Sequence, residues 1–320
     1  MQSIRIKGYK RYILIFFQIL FVLGIGIQTT QAKSLYVLAD TNSNSAPIQA
    51  YDIQGTGLVY QSTVDTNFGW GSVGIAIDTD SKTLFLTQEN NDSIRKIDAQ
   101  TFADLGEVTA PGAWDLAGIV VDQDKGRVYA VDREMSDSPT TLYVYDLNFN
   151  PIDQITLPHG GVGLALDEIN DLLYVTNGTS TVRYFDTATW TEQGSFTVGH
   201  TGGAVGIAID ATRGYVYTGG WYGDDLLSKY NLKTGTETLL DIGNGVVGLA
   251  VDPATGLLYI TTFYDDIRVY DTSTSPFTLT YSTSEHLGDE GRDPAGLCIP
   301  GKDISYNPLH LTKDDGLDYP

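Results

Sequence analysis

The 320-residue chain is predicted to be all-β, a six-bladed β-propeller with four antiparallel strands per blade, on three observations: a repeated motif, an aromatic at fixed spacing behind it, and a repeat split between the two ends. Gly74-Ile-Ala-Ile-Asp78, Gly118-Ile-Val-Val-Asp122, Gly163-Leu-Ala-Leu-Asp167, Gly206-Ile-Ala-Ile-Asp210 and Gly248-Leu-Ala-Val-Asp252 are one motif. Gly296-Leu-Cys-Ile-Pro300 is a degenerate sixth copy, and the glycines lie 44, 45, 43, 42 and 48 residues apart. Seven residues after the Asp of each full copy stands an aromatic: Phe85, Tyr129, Tyr174, Tyr217 and Tyr259.

Each unit reads as four short strands separated by turn residues. The first, the motif itself, is continuously apolar, as a strand buried on both faces should be. The second carries the aromatic in a short apolar run such as Leu173-Tyr-Val-Thr176. The third alternates, as in Ile267-Arg-Val-Tyr270, and closes on an acid or amide: Asp98, Asp146, Asp186, Asn231 and Asp271. A period of about 40–45 residues with four strands per unit is propeller spacing. A linear stack of such sheets would leave two exposed faces at its ends, whereas a ring leaves only short protected edges. The termini decide for the ring. Leu35-Tyr-Val37 matches a second strand and Ile48-Gln-Ala-Tyr-Asp52 a third, with no motif before them, while the copy at Gly296 has a first strand and no second. The N- and C-terminal strands therefore share one blade, and residues 33–300 form the propeller.

These units resemble the NHL and YVTN repeats of secreted β-propellers; Tyr174-Val-Thr-Asn177 spells the second name. The resemblance covers residues 33–300 and implies architecture, since that broad group includes surface-layer proteins, binding modules, lyases and lactonases. Residues 301–320 fall outside the ring. Their Asp303-Ile-Ser-Tyr-Asn-Pro-Leu-His310 resembles the segment that opens an extracellular Ig-like repeat, so they read as a C-terminal tail or the start of a truncated following module.

Composition bounds the partners and the compartment. Asp plus Glu is 40 against 19 Lys plus Arg, a net charge of −21, which argues against a nucleic-acid partner because little here could displace counterions from phosphates. Arg5, Lys7, Lys10 and Arg11 precede the apolar run Tyr12–Ile27, and small residues at Thr30 and Ala32 precede Lys33, the pattern of a secretory signal peptide over 1–32. Its removal takes the net charge to −25, and no later segment is apolar enough to insert in a membrane. The protein is thus expected to be secreted, extracellular or at the cell surface. The single cysteine, Cys298, permits no internal disulfide and lies in an apolar run, where a thiol acts as a small hydrophobe.

In a propeller the loops before each first strand and after each second strand open on one face. That places Trp70, Trp114, His159, Trp221 and Tyr222 around one mouth of the channel, as candidate ligand-binding residues. Aromatics exposed there would anchor a protein, peptide or polysaccharide; packed between blades they would only fill wedges. Searches for the nucleophile elbow, His-Glu-x-x-His, the Walker loop and Cys-x-x-Cys find nothing, so a binding or scaffold module without catalysis is the preferred reading. The first alternative is a metal-dependent lyase or lactonase, with a divalent cation such as calcium held by some of His159, His200, Glu89 and Glu134. The second is a structural spacer in a modular surface protein. No cofactor is identified from the residues themselves. Asp78-Thr-Asp80, Asp122-Gln-Asp124 and Asp252-Pro-Ala-Thr-Gly256 on the opposite face read as tight turns rather than calcium loops.

Overall fold

The computed structural model describes residues 33–41, 46–68, 71–220, 223–263, 266–284 and 292–300. The expected signal peptide and tail lie outside them, as do Trp70, Trp221 and Tyr222. The described residues form six sheets of four antiparallel strands. Blade 1 contains β1 (Ser34–Thr41), β2 (Pro47–Gln54) and β3 (Gly57–Asp65). Blade 2 is β4 (Ser72–Asp78), β5 (Thr83–Gln88), β6 (Ser93–Asp98) and β7 (Asp104–Thr109). Blade 3 is β8 (Leu116–Asp122), β9 (Arg127–Asp132), β10 (Thr140–Asp146) and β11 (Pro151–Leu157). Blade 4 is β12 (Gly163–Asp167), β13 (Leu172–Thr176), β14 (Thr181–Asp186) and β15 (Glu192–Thr197). Blade 5 is β16 (Ala204–Asp210), β17 (Tyr215–Gly220), β18 (Leu226–Asn231) and β19 (Thr236–Asp241). Blade 6 is β20 (Val246–Asp252), β21 (Leu257–Thr262), β22 (Ile267–Asp271) and β23 (Thr278–Thr283), and β24 (Arg292–Cys298) returns to blade 1.

Ring closure follows the split repeat. β24 is the innermost strand of blade 1 and pairs with β1 in the register Tyr36↔Cys298, Val37↔Leu297 and Leu38↔Gly296. Blade 1 is thus completed by strands from both ends of the chain, and β24 packs between β20 and β4 to close the ring of inner strands.

The motif Asp ends each first strand by capping the hairpin that follows. Asp167 Oδ1 accepts the N–H groups of Ile169 and Asn170, both at 3.0 Å, and Asp122 Oδ1 that of Lys125 at 2.9 Å. All five of these carboxylates are buried, so the donors they face satisfy what would otherwise be stranded charge. The acid or amide ending each third strand works alike: Asp186 Oδ1 accepts from Ala188 N at 2.9 Å and Thr189 N at 2.7 Å. Those bonds hold Asp186 below the usual carboxylate range, Thr189 N–H first.

Second strands supply the mortar between blades. Successive side chains point to opposite sides, so a single strand feeds two seams. Leu84 and Leu86 of β5 pack with Tyr36, Leu38 and Ile48 of blade 1, while Phe85 between them packs with Ile119, Val128 and Tyr143 of blade 3. The aromatics repeat this step around the ring, Tyr129 towards blade 4, Tyr174 towards blade 5, Tyr217 towards blade 6 and Tyr259 towards blade 1.

The motif glycine marks where neighbouring blades come closest. A Cβ on Gly163 would overlap the carbonyl oxygen of Val205 and lie 2.7 Å from Thr176 Oγ1; one on Gly296 would lie 2.7 Å from the carbonyl oxygen of Val73. Thr176 fills the remaining gap with bonds, its hydroxyl accepting from Gly163 N at 3.1 Å and donating to Val205 O at 2.6 Å. Thr87 does the same between Gly74 N and Ala117 O, at 3.0 and 2.5 Å.

First strands are apolar along their length, but Val120, Leu166, Ile209 and Ala250 are only half-buried. They line a central channel, so the run reflects two packed faces together with an edge facing that channel.

Replacing Gly163 with Ala should destabilise the ring by about 1–3 kcal/mol, the range for forcing a methyl into a packed interior. Gly57→Ala, whose Cβ would meet Tyr281 at an ordinary 3.4 Å, should leave the melting temperature nearly unchanged. Calorimetric melting of the two variants makes the comparison, and equal shifts would remove the steric role assigned to Gly163. Cys298 is buried and its surroundings push the thiol pKa up, so a soluble thiol reagent should fail to label the native protein until denaturant is added.

Candidate functional site

Strand direction decides which loops share a face. First and third strands run one way and second and fourth the other, so the loop entering each first strand and the loop leaving each second strand emerge together. Between this upper face and its opposite runs a cavity of about 550 Å³, walled by the six inner strands. Glu89, Arg133 and Phe263 stand at its upper mouth and Gln123 and Glu168 at its lower one. At the lower mouth Gln123 Oε1 accepts from the N–H of Thr79 at 3.1 Å and from its hydroxyl, and Gln123 N donates to Glu168 Oε1 at 2.7 Å. These bonds link the hairpins of blades 2, 3 and 4.

The upper face over blades 2 and 3 has a different chemistry. Asp132 Oδ1 accepts the N–H groups of Trp114 at 2.9 Å and Asp115 at 2.8 Å, which fixes the loop before β8. With its backbone held, Trp114 leaves its side chain outside the seam, and the residue is 85% exposed. Arg133 Nη1 donates to Glu89 at 2.7 Å and Nη2 to Asp115 at 3.1 Å. Asp92 sits beside them at φ 48°, with Oδ1 shielded from solvent and bonded to nothing among the described residues. Burial, followed by the charges of Asp132 and Asp115, raises its pKa above the ordinary carboxylate value. Two carboxylates, Glu89 and Asp115, therefore hold the Arg133 guanidinium, with Asp132 and Asp92 close to Asp115.

The other candidates disperse. His159 is partly exposed in the loop before β12, Nδ1 3.8 Å from Asp137 and Nε2 3.6 Å from Glu192. His200 is buried, Nε2 2.9 Å from Thr218 Oγ1 and Nδ1 3.5 Å from Asp224. Asp224 also accepts the N–H of Gly202 at 2.7 Å. Burial raises the Asp224 pKa, but the Gly202 N–H and His200 outweigh it, leaving a net lowering. This chain braces the loop before β16 and is closed to solvent, a structural use of a histidine that the sequence placed at the mouth. Glu134 accepts from Ser136 Oγ at 2.6 Å. His159, His200, Glu89 and Glu134 thus go to separate partners, and among the described residues no three His, Cys, Asp or Glu side chains are grouped to hold a metal ion.

Sequence reasoning missed Asp92 and Asp115. A signal existed for one of them: Asp115 stands three residues before a motif glycine, next to Trp114. Asp92 looks like an ordinary turn residue, and only the fold brings it to Asp132.

No protein-family model matches the sequence, and no curated protein does either. Among solved structures the chain is similar to one in a crystal structure of a nidogen/laminin complex, with a TM-score of 0.68 and 13% sequence identity. The match covers 84% of this chain and 98% of that one. Identity at that level shows the six-bladed propeller fold alone; in all, 1651 solved chains match this one.

Asp92→Asn should stabilise the protein at neutral pH. A carboxyl with a raised folded pKa costs stability as pH climbs from its unfolded value, about 3.9, through the folded one, so the gain should shrink as the pH falls towards 4. Asn also tolerates positive φ well. Melting curves at pH 7 and pH 4 test it; a variant less stable at pH 7 contradicts the assignment.

Proposed function

We propose that this chain is a secreted or cell-surface binding and scaffold propeller of the NHL/YVTN kind, without catalytic activity, that takes a protein, peptide or polysaccharide ligand on its upper face. The observation that carries the reading is Trp114. A large aromatic at 85% exposure, its loop fixed by two backbone N–H bonds to Asp132, contributes nothing to the seams, yet it stands on the face where the channel opens. Exposed Trp side chains are strongly enriched among residues that anchor interfaces, because they bury a large area at small entropic cost. The residues of the metal-enzyme alternative are meanwhile engaged in separate bonds that serve the loops. Export is supported by the signal-like residues 1–32.

The test is a screen of soluble peptides and polysaccharides by titration calorimetry, against the intact protein and Trp114→Ala. The variant should keep its melting temperature within about 0.5 kcal/mol of stability, as exposed substitutions do, and should bind the recovered ligand about tenfold or more weaker. Turnover of the ligand instead of simple binding would move the protein to the enzyme class.

A further inference from the structure

The ligand chemistry can be taken further, resting on the reading that the upper face binds. Elsewhere in this protein aromatic rings on the outer layers are covered by the chain's own cations: Arg95 lies 4.4 Å over Phe68, Lys96 4.7 Å over Phe149 and Lys229 4.0 Å over Tyr215. Among the described residues Trp114, far more exposed than any of these, has no such cation. Around it the charge is unbalanced. Arg133 is committed to Glu89 and Asp115, Asp132 takes two backbone N–H groups on one oxygen, and Asp92 keeps an unbonded oxygen. Met135 adds a second exposed apolar side chain on the adjoining loop of blade 3.

We propose that the upper face of blades 2 and 3 is a docking surface for a basic segment of a protein partner, with a Lys or Arg side chain laid on the Trp114 ring and its charge directed to the exposed side of Asp115. Both halves of the surface ask for that one group. The ring face attracts a cation through its quadrupole, most strongly for Trp. Arg133 stands as one cation against Glu89, Asp92, Asp115 and Asp132, so this face keeps an excess of negative charge, and the net charge of −21 draws basic segments in from a distance. A polysaccharide would use the ring and leave the excess negative charge unanswered. An anionic lipid surface would be repelled.

The probe is a soluble peptide carrying four lysines between leucines, with its Lys→Gln counterpart and a neutral glucan as comparisons, titrated by calorimetry into the full-length protein. The basic peptide should bind, the Gln peptide should bind about tenfold weaker or not at all, and affinity should fall as salt is raised. Trp114→Ala and Asp115→Asn should each weaken binding about tenfold, and Asp153→Asn, an exposed acid on β11 far from this loop, should not change it. Melting curves confirm that each variant is folded. If Asp153→Asn weakens binding as much as Asp115→Asn, the attraction is one of overall charge and the proposal falls. If only the glucan or the Gln peptide binds, and Trp114→Ala abolishes that, the basic partner is wrong while the binding face stands. If ligands bind and none responds to Trp114→Ala, both fall.

Discussion

Six inner strands can surround one axis only if neighbouring blades touch backbone to backbone, and the rest of the structure depends on that approach. At the motif glycine a carbonyl of the next blade occupies the place of a Cβ, as Val205 does for Gly163 and Val73 for Gly296. Farther out the seams widen and aromatics fill them, Phe85, Tyr129 and Tyr217 among them, each fully buried. A wedge that is narrow at the axis and broad at the rim explains why the repeat is glycine first and aromatic later. It also explains why Thr serves beside the glycine: its hydroxyl is small enough to fit and can bond both blades, as Thr87 and Thr176 do.

The chain's few cations serve the same joints. Lys96 donates to the carbonyl of Leu147 in blade 3, Lys229 to that of Thr272 in blade 6 and Arg213 to that of Pro253 in blade 6. Lys125 bridges to Thr187 and Asp171 in blade 4, and Lys33 joins blade 1 to Asp252 of blade 6. Hydrogen bonds from charged donors are worth about 1.5–3 kcal/mol where partly buried, more than an exposed ion pair, typically about 0–1 kcal/mol. A strongly acidic protein with no disulfide thus spends its positive charge internally and presents carboxylates to its surroundings.

The architecture is legible in the sequence because each blade repeats one solution to one steric problem. The glycine motif, the following aromatic and the split first repeat are enough to number the blades and to pair β24 with β1. The site is less legible, because a site breaks the repeat. Trp114 could be read either as a wedge or as an exposed anchor, and what decides it is Asp132, eighteen residues later, holding the loop by two N–H groups. His200 looks like its fellow histidine His159 until Thr218 and Asp224 enclose it. Asp92 gains its significance from Asp115 and Asp132 on the next blade, a proximity that no local pattern encodes.

The pairing of β1 with β24 has a consequence in time. The strand that begins the first blade is made early, and the innermost strand of that blade is made last, more than 250 residues later. The entropy of closing so long a loop rises only slowly with its length, by about 0.6 kcal/mol per doubling, but the contact is among the most non-local the chain makes, and such contacts form slowly. Until Cys298 has left the ribosome, β1 has an open edge and the inner strands β20 and β4 lack the strand that packs between them. A partly made chain is therefore an arc with two sticky ends, held apart from other arcs chiefly by its negative charge.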